Sequence, residues 1–321
     1  MRAVFFGTPE WAVPSLDALA ASQHEILAVV TQPDRRSSRR GSPAPPPVAQ
    51  RAQQLGLELH QPLTVKSPEF REWLRRKEAD LGVVVAYGEI LPRPLLEVPP
   101  RGFVNLHFSL LPRYRGAAPV QWAIASGEEV TGVTTMAIRP RLDAGEIYLQ
   151  KEVPIEAGET ASSLGRRLAS IGAQLLRETL DRMQRGDLSS RPQDESRATY
   201  APSLTKQDGR VDWSWTGGVI ARRVLGFDPW PGCTTSVRGR EMRLLEVDVE
   251  PASEKAGSPE RAEAGELAPG TVLGLSDGAL RVLCGEGSVL LVRKLQFEGG
   301  RPMTGREAVN GRLIAAGDVL G

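Results

Sequence analysis

Apolar runs at residues 2 to 6, 25 to 31, 80 to 86, 103 to 108, 132 to 138 and 146 to 153 recur through the first half of the chain. Longer stretches between them, about 12 to 21, 46 to 55, 67 to 77 and 117 to 125, place apolar residues at helical spacing. Strands alternating with helices predict an α/β fold with a Rossmann-like, mostly parallel sheet covered on both faces. A long helix follows Thr160, with Leu164, Leu168, Ile171, Leu175, Leu176 and Met183 near helical spacing and Gly186 as its stop. From Asp187 the pattern breaks into polar residues with Pro192 and Pro202, which reads as a linker. Beyond it come strands at Glu241 to Glu250, Thr271 to Leu275, Ala279 to Cys284 and Ser288 to Phe297, the last pair joined at Gly285-Glu286-Gly287 as a tight hairpin. Thr304-Gly305-Arg306-Glu307 fits a capping box opening a short final helix. Residues 251 to 267, rich in Ala, Glu, Ser and Gly, read as a mobile loop. The expected division is a first domain over 1–187, a linker over 188–205 and a small β domain over 206–321.

Length supports two domains, since 321 residues exceed the usual size of a single core. With 40 basic against 39 acidic side chains, net charge says almost nothing about partners, so a nucleic-acid interface would have to rest on local clusters. Cys233 and Cys284 have neither metal-like spacing nor the density of a disulfide scaffold, which fits a reducing cytosol and predicts no metal site. The opening Met1-Arg2-Ala3-Val4-Phe5-Phe6-Gly7 is too short for a secretory signal, and no apolar run approaches a membrane span. A cytoplasmic protein without membrane attachment is expected.

The candidate chemistry lies in Gly102-Phe-Val-Asn-Leu-His-Phe-Ser-Leu-Leu-Pro112. A strand alternates its faces, so Asn105 and His107 point one way while Val104, Leu106 and Phe108 point the other. A histidine alone in an apolar strand is most often a hydrogen-bonded core residue. Two polar side chains on one face are harder to bury without purpose, because both need partners in one patch. Asp143, in Leu142-Asp143-Ala144-Gly145, supplies a separate acid. An amide donor, a titratable ring and a carboxylate are the parts for acyl transfer to an amine. His24 and His60 lack such company and read as surface or loop residues. Gly7-Thr8-Pro9-Glu10-Trp11 has neither the second nor the third glycine of the dinucleotide fingerprint, which disfavours a nucleotide cofactor.

The run Asn105-Leu-His-Phe-Ser-Leu-Leu-Pro-Arg-Tyr-Arg-Gly-Ala-Ala-Pro-Val-Gln121 resembles the signature of the folate-dependent formyltransferases. Gly7-Thr8-Pro9-Glu10, Thr31-Gln32-Pro33-Asp34-Arg35 and Val85-Ala-Tyr-Gly-Glu-Ile-Leu-Pro92 agree with it, as do Val211-Asp212-Trp213 and Phe227-Asp-Pro-Trp-Pro-Gly232 in the second half. Within the family the chain is most similar to the members that formylate methionine carried on initiator tRNA. The resemblance implies 10-formyltetrahydrofolate as co-substrate, initiator methionyl-tRNA as acceptor, a monomer, and an OB-like β-barrel as the second domain. It implies catalytic roles for Asn105, His107 and Asp143. It also implies folate contacts from Ser109, Leu110, Leu111 and Pro112 and from Ala86, Tyr87, Gly88 and Ile90. The basic segment holding Arg39 and Arg40 falls where these enzymes carry an inserted loop that reaches the acceptor stem, and Lys206 is a further candidate tRNA contact. One departure stands beside the acid. Where the family reads an acidic residue, any residue, then Gly-Leu-Asp-x-Gly, this chain reads Arg139-Pro-Arg141-Leu-Asp143-Ala-Gly145, so two arginines alter the loop's charge and stiffness. The alternatives are a family member acting on a glycinamide ribonucleotide or an amino sugar nucleotide, and a non-catalytic nucleic-acid-binding protein.

Overall fold

The first apolar run becomes an interior strand of a seven-stranded sheet in the computed structural model, which describes residues 1–36, 42–251 and 267–321. In order along the chain come β1 (Arg2–Gly7), α1 (Val13–Ala20), β2 (Glu25–Val30), β3 (Arg35–Arg36), β4 (Pro43–Ala44), α2 (Pro47–Gln54), β5 (Leu59–His60) and α3 (Pro68–Arg76). There follow β6 (Leu81–Val85), α4 (Arg93–Leu96), β7 (Phe103–His107), α5 (Pro119–Ser126), β8 (Val130–Ala137), β9 (Ile147–Pro154) and α6 (Ala161–Arg185). The sheet order is β5-β2-β1-β6-β7-β8-β9. Pairings from β5 through β7 are parallel, while β8 and β9 join antiparallel. β6 is buried at every position and β1 from Ala3 onward, the burial expected of parallel strands covered on both faces. Val4 and Phe6 on one face of β1 pack with Phe70 and Leu74 of α3. That helix is capped by Ser67, whose hydroxyl accepts from Phe70 N, with Pro68 preset at its first position. On the opposite face, α6 approaches β7 closely, because a Cβ at Gly172 would meet Leu106 Cδ2 at 2.8 Å.

The sheet winds one way from β1 through β2 to β5 and the other way from β6 to β7, so the switch in winding lies between the adjacent strands β1 and β6. Loops leaving the carboxyl ends of such strands diverge and leave a crevice.

The chain divides into two units, the first made of Met1–Pro119, Val130–Pro154 and Ser163–Pro202 and the second of Val120–Glu129, Ile155–Ser162 and Ser203–Gly321. In the second, α7 (Gly217–Gly226) precedes an antiparallel sheet of β10 (Cys233–Val237), β11 (Arg240–Val249), β12 (Val272–Ser276), β13 (Ala279–Leu283) and β14 (Val289–Phe297), in the order β10-β11-β14-β13-β12. β15 (Met303–Thr304) pairs with β14 and leads into α8 (Gly305–Asn310). The expected capping box opens α8: Thr304 Oγ1 accepts from Glu307 N, and the Glu307 carboxylate accepts from Thr304 N. Strand β10 and helix α7 were missed in the sequence, although Ile220 and Val224 stand one helical turn apart and Cys233, Thr235 and Val237 alternate as buried positions. Most of the expected 251–267 loop lies outside the described residues, as do Arg39 and Arg40.

Two histidines differ from their expected places. His24 is buried with Nε2 3.1 Å from Asp181 Oδ1, and burial, then repulsion from the N-terminal amine, lowers its pKa. His60 is half-buried and stacks on the Trp73 ring at 4.4 Å. Neither residue's immediate neighbours revealed these partners, because Asp181 lies far along the chain on α6 and Trp73 sits on the next helix, α3.

Candidate active site

Strand β7 is held between β6 and β8, with Asn105 opposite Val84 on one side and Met136 on the other. Leu106 faces α6, so Asn105 and His107 face away from it, as the alternation predicted. The half-buried Asn105 amide has no hydrogen-bond partner among the described residues. His107 is buried, and its Nε2 lies 2.9 Å from the Tyr114 carbonyl. That carbonyl can only accept, so the proton sits on Nε2 and Nδ1 is the nitrogen left for chemistry. Asp143 Oδ2 stands 3.8 Å from Nδ1, within reach of an ion pair but too long for a hydrogen bond. The same oxygen accepts from Gly116 N at 2.8 Å. The structure therefore brings the predicted ring and acid together.

Three residues of these loops hold strained backbone. Asp143, Tyr114 and Ala86 have φ of +46°, +59° and +47°, a left-handed conformation that costs a non-glycine residue about 1 to 3 kcal/mol and persists only where neighbours enforce it. At Gly116, φ +123° and a Cβ that would fall 2.5 Å from Ala201 O leave room for glycine alone.

The turn after β7 is fixed from below. Thr134 Oγ1 donates to Ser109 O at 2.6 Å and accepts from Leu111 N at 3.2 Å and Gln150 Nε2 at 2.9 Å. Ser109 Oγ donates to Arg113 O, and Leu111 is buried with Met136 and Ile147. Leu110 leans over Gly132, where an added Cβ would meet it at 2.5 Å. Of this predicted quartet, Leu110 and Pro112 are half-buried, while Ser109 and Leu111 spend their polar groups on the turn itself.

At the switch in winding, a cavity of about 290 Å³ is lined by Thr8, Pro9, Gln32, Pro33, Tyr87 and Gly88, among others. Thr8 Oγ1 donates to Tyr87 O at 2.7 Å and so ties the β1 loop to the β6 loop. The Tyr87 ring packs edge-on against Phe6 at 5.5 Å, and its burial pushes the hydroxyl pKa well up. Ala86, Tyr87 and Gly88 thus border this crevice, while Ile90 stands 71% exposed. Lys206 is exposed at the start of a short turn, Gln207–Gly209, in the second unit.

Sequence reasoning passed over Arg115 and Gln193. Arg115 is fully buried and donates to both oxygens of Glu195, at 3.1 and 2.8 Å, and to Gln193 Oε1 at 3.1 and 2.7 Å. Arg139 and Arg141, the departures beside the acid, pair with Glu146 at 2.9 Å and Glu195 at 2.7 Å rather than with Asp143. Arg115 stood within the signature, but its partners are about 80 residues away, in a stretch whose polarity resembles any linker. Among the described residues no group of three His, Cys, Asp or Glu side chains is arranged to hold a metal, and no helix is long and apolar enough to cross a membrane.

The family model described as formyl transferase matches residues 1–180, and the model of the formyl transferase C-terminal domain matches residues 203–313. The chain belongs to the formyl transferase family. Family members named methionyl-tRNA formyltransferase, from Sorangium cellulosum and Acetivibrio thermocellus, are each 42% identical to it over 321 residues, covering all of both chains. Among solved structures, an N-formyltransferase from Helicobacter canadensis, in complex with folinic acid and dTDP-3-aminofucose, aligns with TM-score 0.67 at 16% identity, covering 91% of this chain and 98% of that one. HypX from Aquifex aeolicus, in complex with tetrahydrofolic acid, aligns with TM-score 0.63 at 20% identity, over 98% of this chain and 48% of HypX. These two likenesses carry the formyl transferase fold.

Proposed function

We propose that this formyl transferase moves the formyl group of 10-formyltetrahydrofolate to the free amine of methionine esterified to initiator tRNA. The observation that carries the chemistry is His107 Nδ1 facing Asp143 at 3.8 Å, with the Asn105 amide, without a partner among the described residues, two residues earlier on the same strand face. The choice of acceptor rests on full-length similarity to relatives named for methionyl-tRNA.

In this reading the amine nitrogen bonds to the formyl carbon, and negative charge gathers on the formyl oxygen. Asn105 and a protonated His107 Nδ1 donate to that oxygen, and Asp143 stabilises the imidazolium. Asp143 then takes the proton the amine sheds and returns it to the folate nitrogen as the bond from the formyl carbon to that nitrogen breaks. The Nε2 hydrogen bond to Tyr114 O keeps the ring from turning during these steps. Loops 86–90 and 109–112 form the folate walls, Ser109 and Leu111 by fixing the turn and Leu110, Pro112 and Ile90 by contact. Arg39, Arg40 and Lys206 serve the tRNA, and the enzyme works as a monomer in the cytoplasm.

The test is formyl transfer from labelled donor to aminoacylated initiator and elongator tRNA, for the wild-type enzyme and the Asn105→Ala and His107→Ala variants. Initiator methionyl-tRNA should be formylated, and each variant should lose roughly 100- to 1000-fold in turnover with tRNA affinity retained. Transfer to an amino sugar nucleotide or a glycinamide ribonucleotide instead would replace the acceptor in this reading. A comparable loss of tRNA binding would make the two residues structural.

A further inference from the structure

Asp143 sits in a conformation that its own sequence does not favour, yet its carboxylate must be placed to within a fraction of an ångström. The Gly116 N–H fixes one carboxylate oxygen. The backbone of the turn is fixed by something else. Gln193 Nε2 donates to the carbonyls of both Asp143 and Gly145, each at 2.8 Å, and so spans the strained residue from one side to the other. An amide could face the turn with either end, and only the NH₂ end suits two carbonyls. Arg115 decides which end is presented, because its guanidinium has only donors and takes the Gln193 oxygen through Nε and Nη2. Arg115 is itself locked by Glu195 and by backbone bonds in both directions, its N donating to Thr199 O at 2.8 Å and its O accepting from Ala201 N at 2.7 Å.

We infer that Gln193 is a positioning residue for Asp143, oriented by Arg115, so that the segment 193–201 sets the geometry of the acid without touching substrate. The inference rests on the reading of Asp143 as the group that accepts the amine proton. Misplacing such a group by about 1 Å can cost on the order of 100-fold in rate. The acid turn is further tethered by Arg141, which reaches Glu195, the same carboxylate that Arg115 holds.

Gln193→Glu separates positioning from packing. Glutamate keeps the size of the side chain and still accepts from Arg115, but it turns an oxygen towards the carbonyls of Asp143 and Gly145. Gln193→Met, which donates no hydrogen bond and accepts only weakly, carries the same test if the glutamate variant does not fold. Formyl transfer is measured for the wild-type enzyme, Gln193→Glu, Asp143→Asn and the double variant, with melting temperature as the check on folding. Gln193→Glu should lower kcat at least about tenfold with KM for both substrates little changed, and because the two carbonyls lose their donor the melting temperature falls as well, so turnover is compared well below the transition of each variant. In the Asp143→Asn background the same change should cost nothing further, because the group it positions has lost its function. Wild-type kcat in Gln193→Glu, or the same factor lost in both backgrounds, would overturn the inference. Wild-type turnover in Asp143→Asn is a different outcome and removes the reading of Asp143 itself.

Discussion

Thr134→Val deletes one hydroxyl from a fully buried site and replaces it with a methyl group of nearly the same size. That hydroxyl uses its proton and both lone pairs, on Ser109 O, Leu111 N and Gln150 Nε2. Gln150 Nε2 also donates to Leu111 O at 2.9 Å, so it keeps a partner after the change. The Leu111 N–H and the Ser109 carbonyl lose the partner that Thr134 supplied. Leaving a buried polar group unsatisfied costs about 1 to 3 kcal/mol, so two of them predict a loss of about 3 kcal/mol after the gain from the buried methyl. In a unit of this size that is on the order of 6 to 12 °C in the calorimetric transition of the first unit. The 109–112 turn is also a proposed wall for the folate, so KM for the donor should rise more than KM for the tRNA. A variant within about 0.5 kcal/mol of wild type, the range of an ordinary surface change, would refute the claim that Thr134 holds this turn.

Burial pushes both thiols, Cys233 and Cys284, from 9.0 up to about 12. At pH 8 the thiolate population is then roughly a thousandfold below that of an exposed cysteine, so a disulfide reagent should leave the native protein unlabelled and count two thiols in concentrated guanidinium chloride. Rapid native labelling would contradict the burial. His24 has its pKa lowered from 6.5, first by burial and then by the N-terminal amine. Below pH 6.5 the unfolded chain therefore takes up a proton that the fold refuses. Its contribution is intact above pH 6.5 and is lost as pH falls through the lowered folded value. The melting temperature should drop on acidification through that window, and His24→Gln should lessen the drop; an identical slope would exclude His24 as a cause. Arg39→Ala combined with Arg40→Ala should weaken tRNA binding and flatten its dependence on salt, since fewer phosphate counterions are released. An unchanged slope in a filter-binding titration would take these arginines out of the interface.

The core strands were legible because burial on both faces forces continuous apolar runs, as in Leu81–Val85, and α6 because its apolar stripe repeats over 25 residues. Strand alternation put Asn105 and His107 on one face, and the resemblance alone pointed to Asp143 as the partner of the ring. What stayed hidden is what depends on partners far along the chain. Arg115 looked like one more basic side chain in a loop, and Gln193 like linker, because a hydrogen bond across 78 residues leaves no periodic trace. The burial of His24 was hidden for the same reason: Asp181 lies more than 150 residues away on α6. Strands of two residues, such as Leu59–His60, fall below the length at which alternation can be detected.

The bonds from Gln193, Thr199 and Ala201 to the loops around residues 112–118 and 143–145 bear on where a working catalytic fragment must end. A chain stopped at residue 187 contains all seven strands of the parallel-rich sheet, and by circular dichroism it should look folded. It would nonetheless leave the guanidinium of Arg115 without its carboxylate and the left-handed turn at Asp143 without its brace. Such a fragment would be well formed and catalytically slack, and the shortest length worth expressing runs to Pro202.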